Sequence, residues 1–557
     1  MEVEGQLGRV RRRAKPDRVS DGQPVRVPHR SASFRASLPR ALASVALTAI
    51  VYGCGTPPPT VTPRPSVAMT PTPWASTATP SPTATPTPRP TTFPIAVVVR
   101  YDDPNPAISP YDLVAALAAG KITVPCEVTE IGFGPAALTI AAATPCLPAA
   151  AITAKVHDTA GSMALLPPGL VTPSVKVLAV GNADLFGGPS HRGDYYQLFA
   201  TVPDYAVWTG YDVSGVRTLI STGDTCPDTG VSYMAVGQKK GWPWVLDGGT
   251  VHYRGLKMDT TYSGPSGNGW PVPIIVRNGD SGKLGALISD NDVSANDFEC
   301  PMISNWVQHS GVMVFNVDPK VATTLSQQGG LKAVTLGSNH ITDQGQSGVL
   351  QTLSYLDAAG IKHTGAGATL ADALAPAVVD VRGIKFAFVG WDDISGSAAA
   401  TATRPGVAPL TDENVCSSIK AARAVADIVI AMPQWGWPEY HATITKTQET
   451  QRAFFYSCGA DDILGSGTHW ASWASILPGA NGPQFAIGSH GNFLFTQTWS
   501  RQTMEGVIVE ATFYGTKLVQ FRLHPYVVVQ GAQPNLLDPT TDGAYVLNQV
   551  WSVSDVR

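Results

Sequence analysis

From about Arg217 onward, short apolar runs alternate with amphipathic stretches long enough to be helices, and this rhythm restricts the fold more than anything else in the chain. Runs at 218–221, 333–336, 385–390, 427–432, 462–464, 484–487, 507–511 and 518–522 read as strands. Helical spacing of apolar residues covers 346–359, 411–425 and 446–458. Strands separated by helices of that length build a layered α/β domain around a largely parallel sheet. The last strands follow one another without helices, so a mixed sheet or a second sheet closes the fold.

The chain of 557 residues begins differently. Arg11, Arg12, Arg13, Arg30, Arg35 and Arg40 make a basic region, followed by a short apolar run, 41–52. A membrane-crossing helix needs ~20 apolar residues, so this run is an export signal rather than a span. Its end, Val51-Tyr52-Gly53-Cys54, resembles a bacterial lipoprotein signal. That resemblance implies removal of residues 1–53, lipidation of Cys54 and an extracytoplasmic place on the cell membrane. Residues 54–93 are nearly all Pro, Thr, Ser and Ala, which cannot bury a core, and read as a disordered tether. Residues 94–205 read as a small α/β accessory domain, 206–530 as the main domain and 531–557 as a carboxyl-terminal extension.

A net charge of -4 and a charged content of 14% give nothing that attracts nucleic acid. Setting Cys54 aside leaves six cysteines, an even number that outside the cytoplasm reads as disulfides. Cys126 and Cys146 are local. Cys226 and Cys300 each follow a candidate site residue at a strand end. Cys416 and Cys458 lie on successive helices that a right-handed crossover places side by side. These neighbours give the expected pairs. No Cys-x-x-Cys occurs, which argues against a structural zinc site.

Polar residues recur where the strands stop. Gly223-Asp224 follows the first strand, and Asn296-Asp297-Phe298-Glu299 comes next. Ser338-Asn339-His340 with Asp343, then Gln434-Trp435-Gly436-Trp437-Pro438-Glu439-Tyr440, continue the series. Gly465-Ser466-Gly467-Thr468-His469 and Gly491-Asn492-Phe493 complete it. Open α/β sheets build their sites at the carboxyl ends of strands. Oxygen donors and imidazoles from successive strand ends can converge on a metal ion.

In order and spacing these motifs resemble the capsule-synthesis CapA family, the poly-gamma-glutamate biosynthesis proteins, over about 217–525. The resemblance implies a calcineurin-like metallophosphatase fold with layers α-β-β-α. The family's Asn-Leu-Glu element is matched at 296–299 with one residue added. Its Asn-Asn-His element is Ser338-Asn339-His340. Two departures stand out. Gln434 occupies the place of a histidine, and Gly465-Ser466-Gly467-Thr468-His469 keeps only the last histidine of a His-rich motif. The resemblance implies Asp224, Glu299, Asn339, Gln434 and His469 as donors to a divalent metal, Mn2+ or Mg2+, or to none, given the lost imidazoles. It implies His340 and Asp343 as the catalytic pair, and Trp435, Glu439 and Asn492 as substrate contacts. The implied partner is an anionic cell-surface polymer or its precursor, processed by metal-dependent hydrolysis or transfer. The alternative is a polymer- or partner-binding protein without catalysis.

Overall fold

The computed structural model describes residues 91–138, 144–192, 196–202, 211–261, 268–309, 313–394 and 396–556. The export signal, Cys54 and the tether up to residue 90 lie outside the described residues. The first described strand, Thr91–Pro94, reaches three residues before the expected boundary and pairs antiparallel with Leu198–Val202.

Two sheets lie face to face. The first runs Trp270–Arg277, Thr250–Asp259, Gln533–Leu537, Lys517–Val529, Glu505–Tyr514, Val216–Thr225, Val293–Phe298, Ala333–Thr335, Lys362–Thr364. The second runs Ala377–Val381, Ile384–Asp392, Ile428–Gln434, Asp462–Leu464, Gly482–Ile487, Ala474–Gly479, Asp555–Val556. Side chains alternate across each strand, and the alternation sorts residues into cores. Leu219, Val293, Ala295 and Ala333 of the first sheet pack against Phe386, Phe388, Ile428, Ile430 and Met432 of the second. Ile220 and Val334 point the other way, onto Val321 and Leu325 of helix Lys320–Gln327 and Val349 and Leu356 of helix Gly345–Ala358. Val389, Val429 and Ala431 point outward from the second sheet. They meet Val415 and Ile419 of helix Asp412–Arg423 and Phe455 of helix Lys446–Cys458. The architecture is therefore α-β-β-α, a layered α/β domain as the strand-helix rhythm implied, with the layers that the family resemblance implied.

The carboxyl-terminal residues are part of these layers rather than an extension. Gln533–Leu537 pairs with both Lys517–Val529 and Thr250–Asp259, and Val546, Leu547 and Val550 of helix Ala544–Trp551 enter the inter-sheet core. The amino-terminal part holds two small four-stranded sheets and helices Pro110–Ala118 and Ala149–Asp158 around its own apolar cluster. That cluster also takes in Val216 and Val519, and Arg522 forms an ion pair with Asp184. All three expected disulfides are present, with Cα separations of 4.9 Å for Cys126–Cys146 and 5.1 Å for Cys226–Cys300 and Cys416–Cys458.

Candidate metal centre

The strands that carry the polar motifs run parallel within each sheet, so their carboxyl ends gather on one edge. Val216–Thr225 delivers Asp224, Val293–Phe298 leads into Glu299, and the segment after Asp462–Leu464 delivers His469. Ligand atoms of these three side chains lie within 4.8 Å of one another, and all three residues are buried. Gly223 is needed here because a Cβ would fall 1.8 Å from the Gly491 carbonyl oxygen. That close approach lets the Asp224 N–H donate to the same oxygen at 3.1 Å. The Cys226–Cys300 bridge ties the two chain segments just beyond Asp224 and Glu299.

Polar accounting at this edge is unusual. Both carboxylate oxygens of Asp297 and Glu299, and Oδ1 of Asp224, are buried without a hydrogen-bond partner. His469 Nδ1 approaches Asp224 Oδ2 at 3.0 Å as an ion pair. Ser466 beside Asp297 and Gln434 beside Glu299 draw those carboxyls slightly down in pKa, but neither makes a bond of ordinary geometry to them. Burial, then the charge of Asp224, pushes the carboxyls of Asp297 and Glu299 well above the usual carboxylate range. Burial opposes a charge on His469, but the hydrogen bond and charge of Asp224 outweigh it and leave the imidazole raised. Unpartnered buried carboxylates are costly unless a cation compensates them. Oxygen donors with one imidazole suit a hard divalent ion, so the residues present fit such a group.

His469 is held from several sides. Its Nδ1 lies 2.8 Å from Asn492 Oδ1, Tyr440 stacks on its ring at 5.6 Å, and Phe495 packs at 5.1 Å. Its backbone sits at φ 57°, a left-handed conformation rare for a residue with a side chain.

The other expected donors stand at the margin. Gln434 is buried, and its Oε1 accepts the Asn339 N–H at 2.8 Å, so it links two strand ends and braces Glu299. Asn339 is half-buried and is connected to the cluster through that bond. His340 Nδ1 lies 3.1 Å from Asp343 Oδ2, which also accepts the Phe315 N–H. The His340 ring packs on Phe315, which meets Phe495 and through it His469. Glu439 is partly exposed, and its charge acts on both Glu299 and His469.

Two expected substrate contacts are corrected. Trp435 is 0% exposed, stacks on Phe455, and donates its indole N–H to the Gly488 carbonyl. It is core, because the outer face of the second sheet needs a large apolar filler there. Asn492 is also fully buried, and its amide donates to the Thr503 carbonyl and Gln497 Oε1. With its oxygen on His469, no part of it is left for substrate, and it orients the imidazole instead.

Three residues were missed. Asp297 alternates with Val293 and Ala295 toward the second sheet, while Asn296 points away and donates to Thr222 Oγ1 and Thr225 Oγ1 at 2.8 Å. The element therefore reads Asp297-Phe298-Glu299 without an added residue. Asp392, at the end of Ile384–Asp392, is pushed up to about 7 by burial. His490 is buried with Nδ1 3.0 Å from the Gly465 carbonyl, so Nδ1 carries the proton and Nε2 has no partner. Strand alternation was the signal for Asp297. No sequence signal marked Asp392 or His490.

The family description "Bacterial capsule synthesis protein PGA_cap" matches residues 218–497. The chain is 28% identical over 224 residues to the PGA biosynthesis protein CapA of Bacillus subtilis, covering 40% of this chain and 57% of that protein. It is 27% identical over 189 residues to the capsule biosynthesis protein CapA of Bacillus anthracis, covering 33% of this chain and 44% of that one. The matched part thus spans about half the length of these relatives. Among solved structures, a calcineurin-like phosphoesterase from Bacillus subtilis aligns over 61% of this chain and 98% of its own, with 12% identity and a TM-score of 0.30. The motifs at the strand ends and the span matched together show that the chain belongs to the bacterial capsule synthesis protein family.

Proposed function

We propose that this is an exported accessory protein in the making of an anionic cell-surface polymer of the capsule or poly-gamma-glutamate type, working by metal-dependent hydrolysis or transfer. The observation that carries the reading is the set of five unpartnered oxygens, Asp224 Oδ1 and both oxygens of Asp297 and Glu299, buried beside the His469–Asp224 ion pair. Asp224, Glu299 and His469 hold the cation. When bound, it supplies Lewis acidity to polarise a scissile group. Asn492 and Tyr440 fix the His469 ring. Asp343 holds His340 through Nδ1, and as the imidazolium His340 would give its Nε2 proton to the leaving group and remain with the Nδ1 proton directed at Asp343. Glu439, partly exposed, borders the approach. The polymer is suggested by the capsule and PGA biosynthesis proteins to which the chain is similar, and the anchor by Gly53-Cys54.

A second reading, binding without catalysis, is favoured by Gln434. Its carbonyl oxygen is already engaged by the Asn339 N–H. The two readings separate in one experiment, with Mn2+-loaded protein incubated with γ-glutamyl oligomers and with a phosphodiester probe. Hydrolysis or transfer that falls about 10–100-fold in Asp224→Asn is expected. Retention of the oligomer with no turnover would establish the binding reading instead.

A further inference from the structure

Strand Val293–Phe298 presents more to the centre than the triad of Asp224, Glu299 and His469. Asp297 is 2% exposed, and neither of its oxygens has a hydrogen-bond partner. The charged groups acting on it are Asp224, Asp392 and His469, and Ser466 is its polar neighbour. It lies near enough to Glu299 for its charge to raise that carboxyl. Ligand atoms of Asp224, Glu299 and His469 lie within 4.8 Å of one another, and Asp297 stands just outside that group, so three carboxylates withdrawn from water surround a single imidazole. Even a protonated His469 leaves the negative charge in excess, and a dication restores balance.

We propose that Asp297 is a direct ligand of the cation and sets its selectivity toward hard, oxygen-seeking ions. This rests on the reading that the centre holds a divalent ion. Three carboxylates and one imidazole form a donor set in which oxygen predominates. Such a set favours Mg2+, Ca2+ and Mn2+ relative to what an imidazole-rich site offers Zn2+. Because Zn2+ generally outbinds Mn2+ at a given site, the quantity to follow is the ratio of affinities rather than the order.

The test is a titration of wild type and Asp297→Asn with Mn2+, Ca2+ and Zn2+, alongside melting of both proteins freed of metal. The variant keeps the shape of the side chain and removes its charge. Mn2+ and Ca2+ affinity should fall at least about tenfold, with a smaller loss for Zn2+, so that the Mn2+/Zn2+ ratio drops. The metal-free variant should melt close to metal-free wild type, since Asn keeps the shape of the side chain, which separates lost affinity from lost fold. Equal loss for all three ions, or unchanged Mn2+ affinity, overturns the assignment while leaving the metal reading intact. No saturable binding of any ion by wild type overturns the metal reading itself. Diffraction from Mn2+-soaked wild-type crystals tests the ligand without a variant. An Asp297 oxygen within about 2.6 Å of the ion is expected, and an ion held without it refutes the proposal.

Discussion

Asp462 starts its strand at the end opposite the metal centre. Its Oδ1 accepts the Phe485 N–H at 2.8 Å, its Oδ2 has no partner, and burial pushes its pKa up to about 8. The folded chain therefore keeps a proton that the unfolded chain loses above about pH 4. Asp462 costs no stability below that point, and its contribution worsens by about 1.4 kcal/mol per pH unit until about pH 8. Asp462→Asn should remove this slope, which denaturant unfolding at about pH 5 and about pH 8 will show. At the centre, Asn492→Ala frees the His469 ring and should weaken Mn2+ binding by about tenfold in calorimetric titration, with little change in fold. Asp224, Glu299 and His469 were legible because each ends a motif in a fixed order. Asp297 was not, because Asn296 beside it looked like the matching amide and only the pleat of the strand distinguishes them. Trp435 illustrates the reverse difficulty, since an aromatic after a strand reads the same whether it faces Phe455 or a ligand.

The strand-helix alternation was readable because buried parallel strands carry continuous apolar runs. Val293–Phe298 escaped notice because Ser294, Asn296 and Asp297 are poor strand formers. It forms because it pairs with Val216–Thr225 on one side and Ala333–Thr335 on the other, and the Asn296 side-chain nitrogen donates to Thr222 Oγ1 and the Gly223 carbonyl. The element most exposed to perturbation is the Cys226–Cys300 staple, which closes a loop between residues 74 apart in sequence. Replacing both cysteines by serine should cost about 2–4 kcal/mol in unfolding experiments. Mn2+ affinity should fall as well, because the bridge joins the segments that hold Asp224 and Glu299. A variant that loses stability but binds Mn2+ as tightly as wild type would show that the strands alone position these ligands.

At the scale of the whole molecule, the carboxyl-terminal segment was the least legible. Gln533–Leu537 looked like a tail because its partners, Thr250–Asp259 and Lys517–Val529, come from distant parts of the chain. The anchored arrangement we propose predicts that Cys54→Ser releases the protein from the membrane fraction, and unchanged retention would refute it. The central claim is that buried carboxylates at the strand ends hold a divalent cation. Calorimetric titration of metal-free full-length protein with Mn2+ tests it most directly, with Glu299→Gln in parallel. Saturable binding to wild type that is lost or weakened by about 10–100-fold in Glu299→Gln is the predicted result. Absence of saturable binding, or equal binding by Glu299→Gln, would contradict it.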